Sequence, residues 1–128
     1  MLDAIFSGTN YVAAKQMLDA AQVRHQAITS NIANVDTPGY QRVDLRDDFQ
    51  AELNRLVANG DTNAIRRLEA ETAVTDPNSS KSGINGKVQL DKELMEMNRN
   101  ALQYETLTQF VSGSLRHLRM AITGQPQR

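Results

Sequence analysis

Residues 90–122 of the chain read LDKELMEMNRNALQYETLTQFVSGSLRHLRMAI. Along this stretch, mostly apolar residues recur at alternating steps of four and three, a spacing that places them on one stripe of a long helix. The stripe consists of Leu90, Leu94, Met97, Ala101, Tyr104, Thr108, Val111, Leu115, Leu118 and Ile122. At the rise of an α-helix, the stretch is a rod of about 50 Å. It therefore predicts a long C-terminal helix, beginning near Asp91, that packs lengthwise on another helix.

The N-terminal part of the chain repeats this spacing. Its stripe consists of Tyr11, Ala14, Leu18, Ala21, His25, Ile28 and Ile32. A first helix is expected from Thr9 or Asn10 to about Asn34. The predicted fold is all-α, with the long N- and C-terminal helices packed as an antiparallel coiled-coil-like pair. Because the C-terminal stripe is longer by about ten residues, part of it is expected to remain uncovered. Contact with other chains and a self-contained bundle both fit this pattern.

The central part of the chain predicts shorter helices and a loop. A second helix is expected from Asp44, with the side chains of Phe49, Leu53 and Leu56 on one face. A short helical piece capped by Asp61 or Thr62 follows, and then an irregular, flexible loop over residues 75–87. The chain divides into an N-terminal helix and turn (1–42), a central segment (43–87) and a C-terminal helix (88–128), and the two terminal parts are expected to form one structural unit.

Charge and composition exclude several classes of partner. The 14 basic and 15 acidic residues give a net charge of -1, which offers no positive surface to nucleic acid. No apolar run approaches the ~20 residues needed to cross a bilayer, so the chain is not expected to be membrane-embedded. Residues 1–8 have neither the cationic start nor the apolar stretch of a secretory signal, so cleavage of a signal peptide is not expected.

Residues that could carry chemistry are few and scattered. His25 and His117 lie on different predicted helices and the chain has no cysteine, so no metal site is expected. Asp44, Asp47 and Asp48 are close in sequence, but arginines are interleaved with them. We interpret these carboxylates as a solvated acidic turn that complements the dipole of the helix they begin. The sequence therefore predicts no catalytic residue, no cofactor and no enzymatic activity.

A dense set of helix-ending residues follows the first helix, in the sequence Asn34-Val-Asp-Thr37-Pro38-Gly39-Tyr40. Asparagine tolerates the left-handed conformation that often closes a helix, and Pro38 cannot continue one. The pair Pro38-Gly39 suits the centre of a type II turn. The chain is therefore expected to turn sharply between the first helix and the central segment.

Segments at both ends of the chain resemble a known family. Residues 31–42, NIANVDTPGYQR, resemble the Asn-Ile-Ala-Asn-x-x-Thr-Pro-Gly-Tyr signature near the N-terminus of bacterial flagellar rod and hook proteins. Residues 88–95, VQLDKELM, and 100–107, NALQYETL, are similar to the C-terminal helix of that family. The middle of the chain, from about residue 45 to 86, is unmatched. The larger members carry β-rich insertions for which 128 residues leave no room. The other short rod protein usually has a longer, glycine-rich stretch after the asparagines, so the chain is more similar to the short, proximal rod type.

The resemblance implies a structural subunit of the bacterial flagellar basal-body rod. It implies polymerisation through the terminal helices into the proximal part of the periplasmic drive shaft, after export without a cleaved signal peptide. The implied partners are copies of the chain, other rod and axial proteins, the basal-body base and the export apparatus. One alternative stays open, a cytoplasmic coiled-coil adaptor or export chaperone that dimerises through the C-terminal stripe.

Two groups of residues are expected to carry this function. The signature turn is expected to separate the first helix from the central segment, and its residues are Asn31, Asn34, Thr37, Pro38, Gly39 and Tyr40. Contacts between subunits are expected on both stripes, at Leu18, Ala21, Ile28, Ile32, Leu94, Met97, Tyr104, Val111, Leu115 and Leu118.

Overall fold

The structure is a computed structural model that describes residues 8–76 and 87–124. Its elements are α1 (Thr9–Ala33), β1 (Val43–Leu45), α2 (Asp48–Asn59), α3 (Thr62–Arg67), β2 (Thr72–Val74) and α4 (Leu90–Thr123). The prediction of a mostly α-helical fold with two long, mutually packed terminal helices is confirmed. The expected loop over 75–87 falls largely on residues 77–86, which lie outside the described residues.

The terminal helices α1 and α4 run antiparallel. The side chain of Asn100 donates a hydrogen bond to the backbone oxygen of Ala21 at 2.8 Å, while Glu93, earlier in α4, contacts Asn31, later in α1. Helix α4 has 34 residues and α1 has 25, so α4 is longer by about 13 Å. Neither these nor the other described helices are long and apolar enough to cross a membrane.

The helix boundaries lie close to those predicted from the sequence, with one exception. Helix α3 is capped by Asp61, whose carboxylate accepts a hydrogen bond from the backbone N–H of Ala64 at 3.1 Å. Helix α2, however, begins at Asp48 rather than Asp44. The prediction of helix from Asp44 is wrong because residues 43–45 form a strand instead.

That strand, β1, pairs with β2 in an antiparallel ribbon in which Val43 faces Val74 and Leu45 faces Thr72. Two further backbone hydrogen bonds extend the ribbon beyond its ends, from Arg46 N to Glu71 O and from Thr75 N to Arg42 O, both at 2.9 Å. The backbone groups of this segment are thus satisfied across the ribbon rather than within a helical turn.

The hydrophobic core lies between α1 and the central segment. Its buried residues are Val12, Ala13, Ala20, Leu45, Phe49, Leu53, Leu56 and Ile65. The face of α1 that meets α4 is a different one and includes Ala14, Ala21 and Ile28, which are also buried. Helix α1 is therefore covered on two sides, and its alanines allow both neighbours to approach closely.

Candidate assembly surface and signature turn

The signature turn closes α1 with hydrogen bonds from its own side chains. The amide of Asn34 donates to the backbone oxygen of Ser30 at 2.8 Å and accepts from the hydroxyl of Thr37 at 3.1 Å. The backbone N–H of Tyr40 donates to the oxygen of Thr37 at 3.2 Å, and Gly39 has a φ of 78°. These are features of a type II turn, in which the third residue needs a positive φ.

Asn31 joins the turn to the rest of the fold and is fully buried. Its amide nitrogen donates to the backbone oxygen of Val43 at 2.7 Å, and its amide oxygen accepts from the backbone N–H of Val43 at 3.0 Å. The same oxygen accepts from the hydroxyl of Tyr40 at 3.0 Å, and the nitrogen also reaches Glu93 at 3.3 Å. One asparagine therefore ties α1, the turn, β1 and α4 together.

A buried ion pair lies beside Asn31. Arg42, which is 1% exposed, donates through Nε to Glu93 Oε1, through Nη2 to Asp44 at 3.1 Å and through Nη1 to the hydroxyl of Thr75 at 3.0 Å. Burial alone lowers the pKa of Arg42, but its hydrogen bonds and its attraction to Glu93 and Asp44 outweigh that effect and raise the pKa. The guanidinium therefore stays charged and keeps two carboxylates in the interior.

The interpretation of Asp44 as part of a solvated acidic turn is wrong. Asp44 lies on β1, is 7% exposed, and faces Arg42 at 3.1 Å and Arg24 at 3.8 Å. Asp47 and Asp48 are exposed at the start of α2. Sequence reasoning also missed the ion pair of Arg42 and Glu93. A signal for it was present, because each residue belongs to a segment that resembles the rod and hook family.

The candidate interface residues on α1 differ in exposure. Ala21 and Ile28 are 3% and 1% exposed, so in this structure they are covered by the chain itself and offer no surface to a second subunit. Leu18 and Ile32 are half-buried. Their remaining surface is available to a neighbouring chain.

On α4 the candidate interface residues are far less covered. Leu94, Tyr104 and Leu115 are between 45% and 47% exposed, and Met97, Val111 and Leu118 are half-buried. The reason is rotational. At about 100° per residue, the face of α4 defined by the buried Asn100 is offset from the apolar stripe, whose outer edge points away from α1.

The outer edge of the stripe, which we name the α4 flank, consists of Leu90, Leu94, Tyr104, Leu115 and Ile122. These five side chains are between 45% and 70% exposed and lie within a sector of about 80° on the helix. Beside them, a cleft of about 340 Å³ opens between α1 and α4, lined by Ala21, Gln22, His25, Asn100, Ala101 and Tyr104. Within residues 8–76 and 87–124, no three His, Cys, Asp or Glu side chains come together as metal ligands.

The architecture defines a mostly α-helical protein whose two longest helices pack together and whose longest helix keeps a row of large apolar side chains exposed. Residues 17–41, which include most of α1 and the signature turn, match the family described as flagella basal body rod protein. Over most of its length the chain is also similar to flagellar basal body rod proteins FlgB. It is 31% identical to that of Aquifex aeolicus strain VF5, over 96% of this chain and 98% of the relative.

Two further relatives extend the comparison. The chain is 30% identical to FlgB of Bacillus subtilis strain 168, over 94% of this chain and 98% of the relative. It is 27% identical to FlgB of Escherichia coli strain K12, over 91% of this chain and 93% of the relative. The chain therefore belongs to the flagella basal body rod protein family, as a rod protein of the FlgB type. Membership in this family agrees with its interpretation as a structural protein.

Proposed function

We propose that the chain polymerises through its terminal helices, with copies of itself and with other rod and axial proteins, into the proximal part of the periplasmic rod. The observation that carries this proposal is the α4 flank, a row of large apolar side chains left uncovered on a helix that is already paired on another side. An exposed apolar row of this length on a soluble chain is typical of a surface that contacts another protein.

The size of the flank indicates how such contacts would work. Complete burial of a leucine or isoleucine contributes about 1.5–3 kcal/mol, so a side chain that is already half-covered retains about 1 kcal/mol. The five flank residues would then contribute about 5 kcal/mol, which is comparable to the lower estimates of the cost of associating two chains. A single contact is therefore weak, and several neighbours per subunit are needed for a stable assembly.

The unequal helix lengths support an open-ended arrangement. Because α4 is longer than α1, the side chains near its C-terminal end, Leu118 and Ile122, extend along a part of α4 that the described residues of α1 do not reach. Contacts between unlike surfaces that do not close into a ring generate a helical tube. A subunit with an uncovered helix end and a lateral apolar flank has two such unlike surfaces.

Replacement of Leu115 by aspartate tests the proposal in cells. An aspartate on the flank would place an unpaired charge in a buried contact, at a cost of several kcal/mol. We expect cells making Leu115→Asp to lack filaments and motility. The matched control is Gln109→Asp, which adds the same charge at an exposed position of α4 about 120° around the helix from Leu115 and should leave filaments unchanged. Normal filaments with Leu115→Asp would contradict the proposal, provided that both variants are present at equal levels.

We also propose that the subunit reaches the basal body by flagellar export, without cleavage of a signal peptide, and contacts the basal-body base and export apparatus on its way. The naming of its relatives as basal body rod proteins supports this location. The test is the intact mass of the chain recovered from detergent-extracted basal bodies, which should correspond to the full sequence with or without Met1. Recovery only in the soluble cytoplasmic fraction would instead favour the adaptor or chaperone, which the comparisons do not support.

A further inference from the structure

The face of α4 that packs on α1 carries two buried polar side chains, Glu93 and Asn100, one heptad apart. Among the described residues of α4, these two are the buried ones. We propose that Glu93 and Asn100 fix the lengthwise register of α4 on α1. This inference concerns the folded subunit and does not depend on its assembly into a rod.

The apolar pattern leaves the register undetermined. The residues of α4 that border the interface repeat every seven positions as Met97, Tyr104, Val111 and Leu118. The facing residues of α1 repeat at the same interval as Ala14, Ala21 and Ile28. If α4 slid by one heptad, about 10 Å, apolar side chains would again meet apolar side chains. Hydrophobic burial would therefore discriminate weakly between the two registers.

The polar contacts are not interchangeable in this way. Asn100 donates to the backbone oxygen of Ala21 at 2.8 Å, and Glu93 accepts from both Arg42 and Asn31. After a slide of seven residues in one direction, Glu93 would carry its charge to the level of Ala21 and leave Arg42. After a slide in the other direction, Leu107 would replace Asn100 there. Each shift breaks the ion pair and the hydrogen bond together.

The bonding of Asn100 indicates that it contributes specificity rather than stability. Its amide oxygen is buried and has no hydrogen-bond partner among the described residues, a state that costs free energy. An apolar side chain of similar size would avoid this cost. A single buried asparagine in a helix–helix interface is a known means of specifying register at the expense of stability.

The register determines what the subunit presents to its surroundings. Tyr104, one residue of the α4 flank, shares the cleft between the helices with Gln22 and His25 of α1. A shift of one heptad would keep the flank on the same side but move it about 10 Å along α1. The combined surface of both helices would then differ, although the content of helix would not.

Disulfide trapping measures the register directly, because the chain has no cysteine of its own. Ala14 and Leu107 line the same cleft, so cysteines at these two positions report the native register. Cysteines at positions 14 and 114, through Ala14→Cys and Ser114→Cys, report the slide of one heptad that brings Leu107 to the level of Ala21. In the native register that second pair is separated by about 10 Å along the helix axis, which is beyond the reach of a disulfide.

The register is tested in two variants. Asn100→Leu removes the hydrogen bond, and Arg42→Met with Glu93→Leu and Asn100→Leu also replaces the ion pair by apolar residues. We expect the ratio of slipped to native disulfide to rise by about tenfold or more in Asn100→Leu, and further in the triple variant. The melting temperature of Asn100→Leu should stay level or rise. If Asn100 only stabilised the fold, its replacement would lower the melting temperature.

The control is Val111→Ala, which reduces apolar contact on the stripe without touching a polar one and should trap only the native pair. Circular dichroism checks that each variant keeps its helix content. If Asn100→Leu and the triple variant both trap only the native pair, the proposal is overturned. If the triple variant does not fold, the ratio in Asn100→Leu decides, since that change removes no charge.

Discussion

Replacement of Glu93 by alanine tests the buried ion pair between α4 and the signature turn. The change removes the carboxylate that accepts from Arg42 Nε and from Asn31. It leaves the guanidinium of Arg42, 1% exposed, with Asp44 as its remaining charged partner. Removing one partner of a buried pair typically costs 3–5 kcal/mol, and the retained Asp44 places the expected loss near the lower value, at about 3 kcal/mol.

That loss is a large part of the total free energy of unfolding. Domains of this size are stable by about 5–15 kcal/mol, and about 3 kcal/mol corresponds to a fall in melting temperature of roughly 10 °C. Urea unfolding followed by far-ultraviolet circular dichroism gives the free energy of unfolding for Glu93→Ala and the natural chain. The control is Glu96→Ala, one turn further along α4, where the carboxylate pairs at 3.5 Å with the exposed Arg99.

The two variants separate a buried pair from a surface pair. Glu96→Ala is expected to lose less than about 1 kcal/mol, as is usual for exposed pairs. The reasoning would be refuted if Glu93→Ala lost no more stability than Glu96→Ala while the slope of free energy against urea stayed the same in both. That result would mean that the carboxylate of Glu93 gains nothing from its buried position.

Two further predictions concern a glycine pair and a surface carboxylate. Gly39→Ala is expected to destabilise the fold by about 1 kcal/mol, since a φ of 78° strains any side chain although space is open around it. Gly113→Ala, within α4 and equally open, should stabilise the fold by up to about 1 kcal/mol. Thermal unfolding of both variants checks these opposite signs. The hydrogen bond from Arg55 lowers the pKa of Glu52, so this pair supports the fold above the ordinary carboxyl pKa and its contribution is lost as the pH falls through the lowered value. An NMR titration should find that the pKa of Glu52 rises towards the ordinary value in Arg55→Gln, and an unchanged pKa would contradict that cause.

The sequence predicted the helix limits and the turn correctly where interactions between neighbouring residues determine them. The limits of α1, α3 and α4 follow from helix spacing and capping residues, which act over one or two turns. The turn at Pro38-Gly39 follows from the backbone preferences of those two residues. The strand β1 was missed because its partner, β2, lies far along the chain and three residues are too few to show an alternating pattern.

The exposure of charged residues could not be read in the same way. Asp44 and Glu93 stand in sequence where carboxylates commonly complement a helix N-terminus, and nothing nearby marks them as buried. Their burial depends on Arg42, which folding brings between β1 and α4. The same holds for Asn100, whose partner Ala21 belongs to the opposite end of the chain.

The amino-acid sequence by itself determined that two long helices with a heptad stripe stand at the ends of this chain, and that a proline-glycine turn follows the first. It did so because periodicity and backbone preference are properties of neighbouring residues. Only the tertiary structure decided which side of each stripe is covered, and which polar groups lie inside. Those outcomes depend on the rotation and register of α4 against α1, which are set by contacts between residues distant in sequence.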